Sequence, residues 1–297
     1  MDTVVVGLSP GGSPGGPLDP SGRSGGRLAG LAGLGPEEFK GRFARTNLRP
    51  LANLGRSDRE LAENLLPLLR GKRVLALGRS VAGAIGVKGP WFEWSLCKGF
   101  VGAAMPHPSG LSRWWNYPDN RRTAGEFMRR STRPCVHVEG PDGSGKSTLV
   151  PELAGIMGLD VVPTDDPPRS WDECLRRIER RVSPSLVCDR SSGLVSELVY
   201  GPVLRGGTIV DEEVVWSVVR SVVHAVVFVY CRPPDDAIRP TFRDGEDPGH
   251  AKGVLEKSDP LRRRYDEVMS RLSGMGARVV RYDRTRQTVE EVARCVG

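Results

Sequence analysis

Midway along the chain, Gly140-Pro141-Asp142-Gly143-Ser144-Gly145-Lys146-Ser147-Thr148 constrains the fold more than any other stretch. Glycines at this spacing let consecutive backbone N–H groups close around an anion, and a lysine followed by a hydroxyl residue adds a cation and a hard oxygen. The preceding segment, Cys135-Val136-His137-Val138-Glu139, is short and apolar enough for a buried strand. The segment after it, 149–157, has helical composition with Leu149, Leu153 and Ile156 on one face. Strand, glycine loop and helix together are the context in which such a motif binds phosphate. Gly140, Gly143, Ser144, Gly145, Lys146, Ser147 and Thr148 are therefore expected to hold the phosphates of ATP, with Lys146 on the β- and γ-phosphates and Ser147 on Mg²⁺.

The rest of this half alternates. Strands are predicted at 135–139, 159–163, 186–188, 225–230 and 278–282, and helices at 171–181, 211–223 and 260–275 with another from Val289. Such alternation argues for a parallel sheet with helices on both faces. With 297 residues there is room for a second domain. Between Trp114 and Arg133 the pattern turns polar and charged, with a short helix predicted over 123–130, so the break is expected near residue 130. The expected architecture is α/β, two three-layer domains covering 1–130 and 131–297, with the Gly/Pro/Ser stretch 9–35 read as a site loop rather than a linker.

Charge separates the halves. Residues 1–133 hold 20 Lys and Arg against 10 Asp and Glu, a balance of +10, whereas the remainder holds 23 against 26, a balance of −3. A basic front half suits a polyanionic partner such as DNA. No apolar run approaches the 18 residues of a membrane span, and no basic leader opens the chain. Six cysteines lack metal-ligand spacing, which points to a reducing cytoplasm without a zinc or iron–sulfur site.

Three features of the second half match one family. Asp189-Arg190 follows a strand, with Ser196-Glu197 and Tyr200-Gly201 downstream. Cys231-Arg232-Pro233-Pro234 follows another, with Arg239 and Arg243 beyond it. Tyr265 lies in a helix that precedes Arg281-Tyr282-Asp283. With the loop form Glu139-Gly140-x-Asp142-Gly143-Ser144-Gly145-Lys146-Ser147-Thr148, this order resembles thymidylate kinases and related nucleoside monophosphate kinases across residues 134–297. The resemblance implies that Asp142 faces the acceptor sugar or hydroxyl and Arg190 the acceptor phosphate. Asp189 would join Ser147 at the metal, Arg239 and Arg243 would sit in a lid, and Glu197 would touch the acceptor. One stretch departs from the family: where an Arg-Glu-Pro segment is usual, Pro163-Thr164-Asp165-Asp166-Pro167-Pro168 stands, and its carboxylates would repel a free monophosphate.

The front half opens with a strand at 3–6 and then Gly7-Leu8-Ser9-Pro10-Gly11; Thr46-Asn47-Leu48, a strand at 73–77, and Met105-Pro106-His107-Pro108-Ser109-Gly110-Leu111-Ser112 follow. The opening loop and the His-Pro-Ser-Gly-Leu-Ser segment resemble the two signature motifs of the uracil-DNA glycosylase superfamily over about residues 1–117. The resemblance implies base or DNA contacts by Ser9, Asn47, His107, Ser109 and Leu111, with Leu111 as a wedge and His107 steadying charge on an extruded base. Glycosylases place Asn or Asp where Ser9 stands. Serine can hold a water but cannot take its proton as a carboxylate does.

Taken together, these readings lead to an ATP- and Mg²⁺-dependent phosphotransferase. Its acceptor would be a pyrimidine deoxynucleotide or a modified pyrimidine such as 5-hydroxymethyluracil in DNA, presented by a base-flipping front half. A virus that hypermodifies its DNA would be a sensible home, placing the protein in the host cytoplasm; a homodimer is one of the open oligomeric states. The alternative is a uracil-DNA glycosylase-type repair enzyme with an accessory nucleotide-binding half.

Overall fold

Parallel strands rich in valine form two separate five-stranded sheets among the described residues of this computed structural model, which are 3–8, 15–49, 57–109, 112–163, 168–189, 194–237 and 248–297. The chain divides into two compact units, Met1–Arg133 and Pro134–Gly297. Helix continues to Ser131, so the division falls just beyond the break expected near residue 130.

In the first unit the elements run β1 (Thr3–Gly7), α1 (Arg23–Ala32), α2 (Pro36–Arg42), β2 (Phe43–Asn47), α3 (Asp58–Leu69), β3 (Arg73–Leu77), α4 (Arg79–Ile85), β4 (Ser95–Cys97), β5 (Phe100–Met105) and α5 (Pro118–Ser131). The sheet order is β2-β1-β3-β5-β4; all neighbours pair in parallel except β4, which runs antiparallel to β5. Val4, Val5 and Val6 of β1 are buried because a central parallel strand is covered on both faces. One face packs Val4, Val6, Val74 and Ala76 under α3 and α4, and the other packs Val5, Leu75, Leu77 and Phe43 under α1, α2 and α5. Burial of each such side chain contributes roughly 1.5–3 kcal/mol. Ser57 and Glu60 form a reciprocal capping box that starts α3.

The second unit runs β6 (Cys135–Glu139), α6 (Lys146–Met157), β7 (Asp160–Val162), α7 (Trp171–Arg181), β8 (Leu186–Asp189), α8 (Val195–Tyr200), α9 (Glu212–Val222), β9 (Val227–Cys231), α10 (Pro248–Glu256), α11 (Ser258–Gly274), β10 (Arg278–Tyr282) and α12 (Val289–Val296). Its sheet is fully parallel in the order β10-β9-β6-β8-β7. β6 is central, and successive strands leave it first on one side and then on the other. The crevice at its carboxyl end is the switch point where α/β sheets bind ligands. In α6, Leu149 and Leu153 face the core as expected, but Ile156 is 47% exposed; Val150 and Ala154 complete the buried stripe instead. No helix among the described residues is long and apolar enough to cross a membrane.

Candidate functional site

The loop after β6 is shaped by its glycines. Gly140 has φ +148°, and a Cβ on it would stand 2.5 Å from the Cys231 carbonyl oxygen at the end of β9. Gly143 and Gly145 take φ +79° and +97°, which strain any side chain. Lys146 begins α6 and is buried; its Nζ donates to the carbonyls of Gly140 (2.8 Å) and Pro141 (2.9 Å) and lies 3.8 Å from the Asp142 carboxylate. Ser144 is fully buried, with its Oγ lacking a hydrogen-bond partner, a stray polar group inside the loop. Thr148 continues the first turn of α6.

Ser147 Oγ donates to Asp189 Oδ2 at 3.2 Å, bringing α6 to the end of β8. A hydroxyl and a carboxylate meeting beside a phosphate loop are the hard oxygen donors that suit Mg²⁺, which takes few protein ligands and completes its shell with water and phosphate. Bound there, the ion would neutralise charge between the β- and γ-phosphates. Asp142, 3.8 Å from the Lys146 ammonium, accepts a hydrogen bond from the Tyr200 hydroxyl at 2.9 Å.

Glu197, expected to touch an acceptor, is instead buried within its own unit. It accepts from Arg205 Nη2 and from the Ile209 amide, both at 2.6 Å, and so ties α8 to the π-helical turn Gly201–Arg205 and the bend after it. Arg190, Arg239, Arg243 and residues 164–167 lie outside the described residues. Cys231 borders the loop, but burial pushes its thiol up to about 12, so it is no nucleophile at neutral pH.

Sequence reasoning missed Arg284. Its guanidinium donates to the carbonyls of Ala237 (2.5 Å) and Gly143 (3.5 Å), and its Cδ leaves only 3.0 Å for a Cβ on Gly145. The signal was its place two residues past β10, at the same carboxyl edge as the glycine loop.

The first unit also gathers its candidate residues at the carboxyl edge of its sheet. Asn47 ends β2 beside Gly7 of β1, where a Cβ would stand 2.5 Å from Asn47 Oδ1. Asn47 is 7% exposed, and its Oδ1 has no hydrogen-bond partner. An orphan acceptor of this kind costs roughly 1–3 kcal/mol unless a ligand or water satisfies it. Two residues earlier on the same strand face, Arg45 buries Nε and Nη1 without a partner; it too went unremarked in the sequence.

His107 follows β5. Its Nδ1 accepts the Ser109 amide at 3.2 Å, so the neutral ring carries its proton on Nε2, and burial lowers its pKa. Trp115 Nε1 donates to the His107 carbonyl (2.7 Å), and Arg27 donates to the carbonyls of Pro108 (2.9 Å) and Ser109 (3.4 Å), fixing this loop. A Cβ on Gly78, which has φ +91° at the end of β3, would lie 3.6 Å from His107 Cβ. Ser9 and Leu111 lie outside the described residues. Phe92, Trp94, Trp114, Trp115 and Phe127 pack on one another, which assigns these rings to the scaffold; Trp91 instead lies under the Arg79 guanidinium, 3.8 Å from its ring centroid.

No family model and no curated protein matches the chain. Among solved structures, the chain is similar to the YorR protein of Bacillus subtilis in complex with phosphorylated GDP, at 19% identity over 54% of this chain and 91% of that one, with a TM-score of 0.40. A NadR protein in complex with NAD and AMP-PNP matches at 14% identity over 100% of this chain and 95% of that one, with a TM-score of 0.38. NadR in complex with NR matches at 16% identity over 99% and 86%, with a TM-score of 0.37. These superpositions are too loose to transfer any residue role.

Proposed function

We propose that the protein transfers the γ-phosphate of ATP to a hydroxyl on a pyrimidine, with 5-hydroxymethyluracil in DNA as the preferred acceptor. The observation that carries this reading is the order of groups around the glycine loop. Lys146 closes the loop, the next residue, Ser147, meets Asp189 at 3.2 Å, and the carboxylate of Asp142 stands 3.8 Å from the ammonium. Phosphoryl transfer asks little of a protein beyond position and positive charge, and this arrangement offers a cation for the donor phosphates, two hard oxygens for a metal and a carboxylate for the acceptor.

The first unit supports the choice of acceptor class. A buried, unpaired Asn47 Oδ1 suits the N3–H of a uracil-type base, and the neutral His107 ring offers an N–H to a carbonyl oxygen. The acidic stretch at Asp165 and Asp166 favours an alcohol over a free monophosphate. The test is transfer of labelled γ-phosphate to free dTMP, free 5-hydroxymethyl-dUMP, and oligonucleotides containing thymine, uracil or 5-hydroxymethyluracil. Label confined to the hydroxymethylated DNA is the expected result. Label on free monophosphates alone would reassign the acceptor, and abasic sites without label would give the protein to the glycosylases.

A further inference from the structure

Tyr200 is placed by everything around it. It ends α8 at 7% exposure, with its ring edge-on to Tyr265 (centroids 6.0 Å apart, planes at 86°). Tyr265 in turn stacks on Tyr230 at 6.2 Å, and the Tyr230 hydroxyl donates to Asp266 at 2.7 Å. Arg264 of α11 donates to the Leu198 carbonyl at 2.9 Å, and the buried Glu197 binds Arg205 and the Ile209 amide, so the last turn of α8 is anchored on two sides. The phenol therefore has little freedom. Asp142, by contrast, sits between Pro141 and Gly143 in a loop that owes its path to glycines.

From this rigid helix the Tyr200 hydroxyl reaches Asp142 Oδ2 at 2.9 Å, 58 residues away in sequence. The other oxygen, Oδ1, is the one turned toward Lys146, 3.8 Å from its Nζ. Lys146 marks where the transferred phosphate must lie. The acceptor hydroxyl must approach that phosphate from the side away from ADP, and Oδ1 is the carboxylate oxygen on the phosphate side.

We propose that Tyr200 is the positioning residue of the acceptor side: by holding Asp142 Oδ2 it aims Oδ1 at the hydroxyl that attacks the γ-phosphate. The inference rests on the phosphotransferase reading above. In the step concerned, the acceptor oxygen bonds to the γ-phosphorus while the bond from that phosphorus to the β–γ bridging oxygen breaks. ADP leaves with that electron pair, and the hydroxyl proton passes to Asp142 Oδ1 and then to solvent. Tyr200 touches neither substrate in this scheme, and its whole effect runs through one carboxylate.

Tyr200→Phe keeps the ring packed on Tyr265 and removes only the hydroxyl. The expected result is a kcat lower by roughly 10–100-fold, since an aligned base contributes about 10²–10⁴-fold and misalignment forfeits part of it. KM for ATP and the melting temperature should stay unchanged. In an Asp142→Asn background, the same Tyr200→Phe change should cost almost nothing further, because the group it aims no longer accepts a proton. Equal losses in both backgrounds, or an unchanged kcat in the single variant, would overturn the proposal. A crystal structure of the full-length Tyr200→Phe protein decides the positioning separately: the Asp142 carboxylate should rotate away from its wild-type place, and an unmoved carboxylate refutes the proposal whether or not the wild type transfers phosphate. Wild-type protein that labels no acceptor at all would instead refute the function.

Discussion

The two units place their candidate residues at the same kind of location, the carboxyl edge of a five-stranded, mainly parallel sheet, but build there from different materials. In the second unit the site is made of backbone. Three positive-φ glycines shape the loop, and Lys146 and Ser147 are anchored by partners within 3.2 Å. In the first unit the site is made of side chains drawn from separate strands, and its buried unpaired group is an acceptor, Asn47 Oδ1, where the second unit's loop leaves a hydroxyl, Ser144 Oγ. A loop that receives phosphate can satisfy its cation internally until the nucleotide arrives. A pocket that reads a base edge has to keep its acceptor unspent, and that costs stability.

The largest effect that sharpens this contrast comes from Lys146→Ala. It should lower phosphate transfer on the order of 10³-fold while leaving the protein folded, because donors aimed at transferring charge carry most of such catalysis. Transfer assays beside thermal melts read both halves of the expectation. Retained transfer would break the assignment of the second unit as the phosphate site.

Next in size is an acid effect that should be larger in the second unit than in the first. Its central strand β6 buries His137, whose Nε2 lies 2.9 Å from the Arg181 carbonyl, whereas the central strand β3 of the first unit, Arg73–Leu77, has no histidine or carboxylate. Burial pulls the His137 pKa from 6.5 down to about 4. The unfolded chain therefore binds this proton first. Stability from the neutral histidine is complete above about pH 6.5 and is lost as pH falls toward 4, roughly 3 kcal/mol in all. Hydrogen exchange across that range should show the second unit opening first. His137→Gln, which retains a donor for Arg181 but does not titrate, should flatten the loss.

A smaller effect tests the unspent acceptor. Asn47→Ala should weaken binding of oligonucleotides containing 5-hydroxymethyluracil by about 1–3 kcal/mol, read by fluorescence anisotropy, with little change in ATP affinity. Smallest of all, Arg79→Ala should lower the salt dependence of that binding by about one unit of slope, as expected for a single phosphate contact. An unchanged slope would leave Arg79 to its partners within the unit, the Trp91 ring and the Gly89 carbonyl.

The same difference explains what could be read from the sequence. The glycine loop is contiguous, so its residues, β6 and α6 are legible together, and α7 and β10 fall where alternation puts them. The Tyr200–Asp142 bond was hidden because α8 is only six residues long and sits in a segment that reads as loop, with its partner 58 positions upstream. β2 was equally hidden: Phe43-Ala44-Arg45-Thr46-Asn47 is an edge strand with Ala44 exposed, too polar to read as a buried run. Its pairing with β1 is what brings Asn47 to Gly7. Glu197 follows the same pattern: a glutamate near a kinase-like motif reads as a ligand contact, whereas its partners are Arg205 and the Ile209 amide.

The most direct measurement is mass spectrometry of the nucleosides released from 5-hydroxymethyluracil DNA after incubation with the protein, ATP and Mg²⁺. The expected product is a nucleoside heavier by one phosphoryl group, carried on the hydroxymethyl oxygen of the base, and none of it with Lys146→Ala. Unmodified hydroxymethyluracil alongside phosphorylated free nucleotides, or alongside released base, would contradict it.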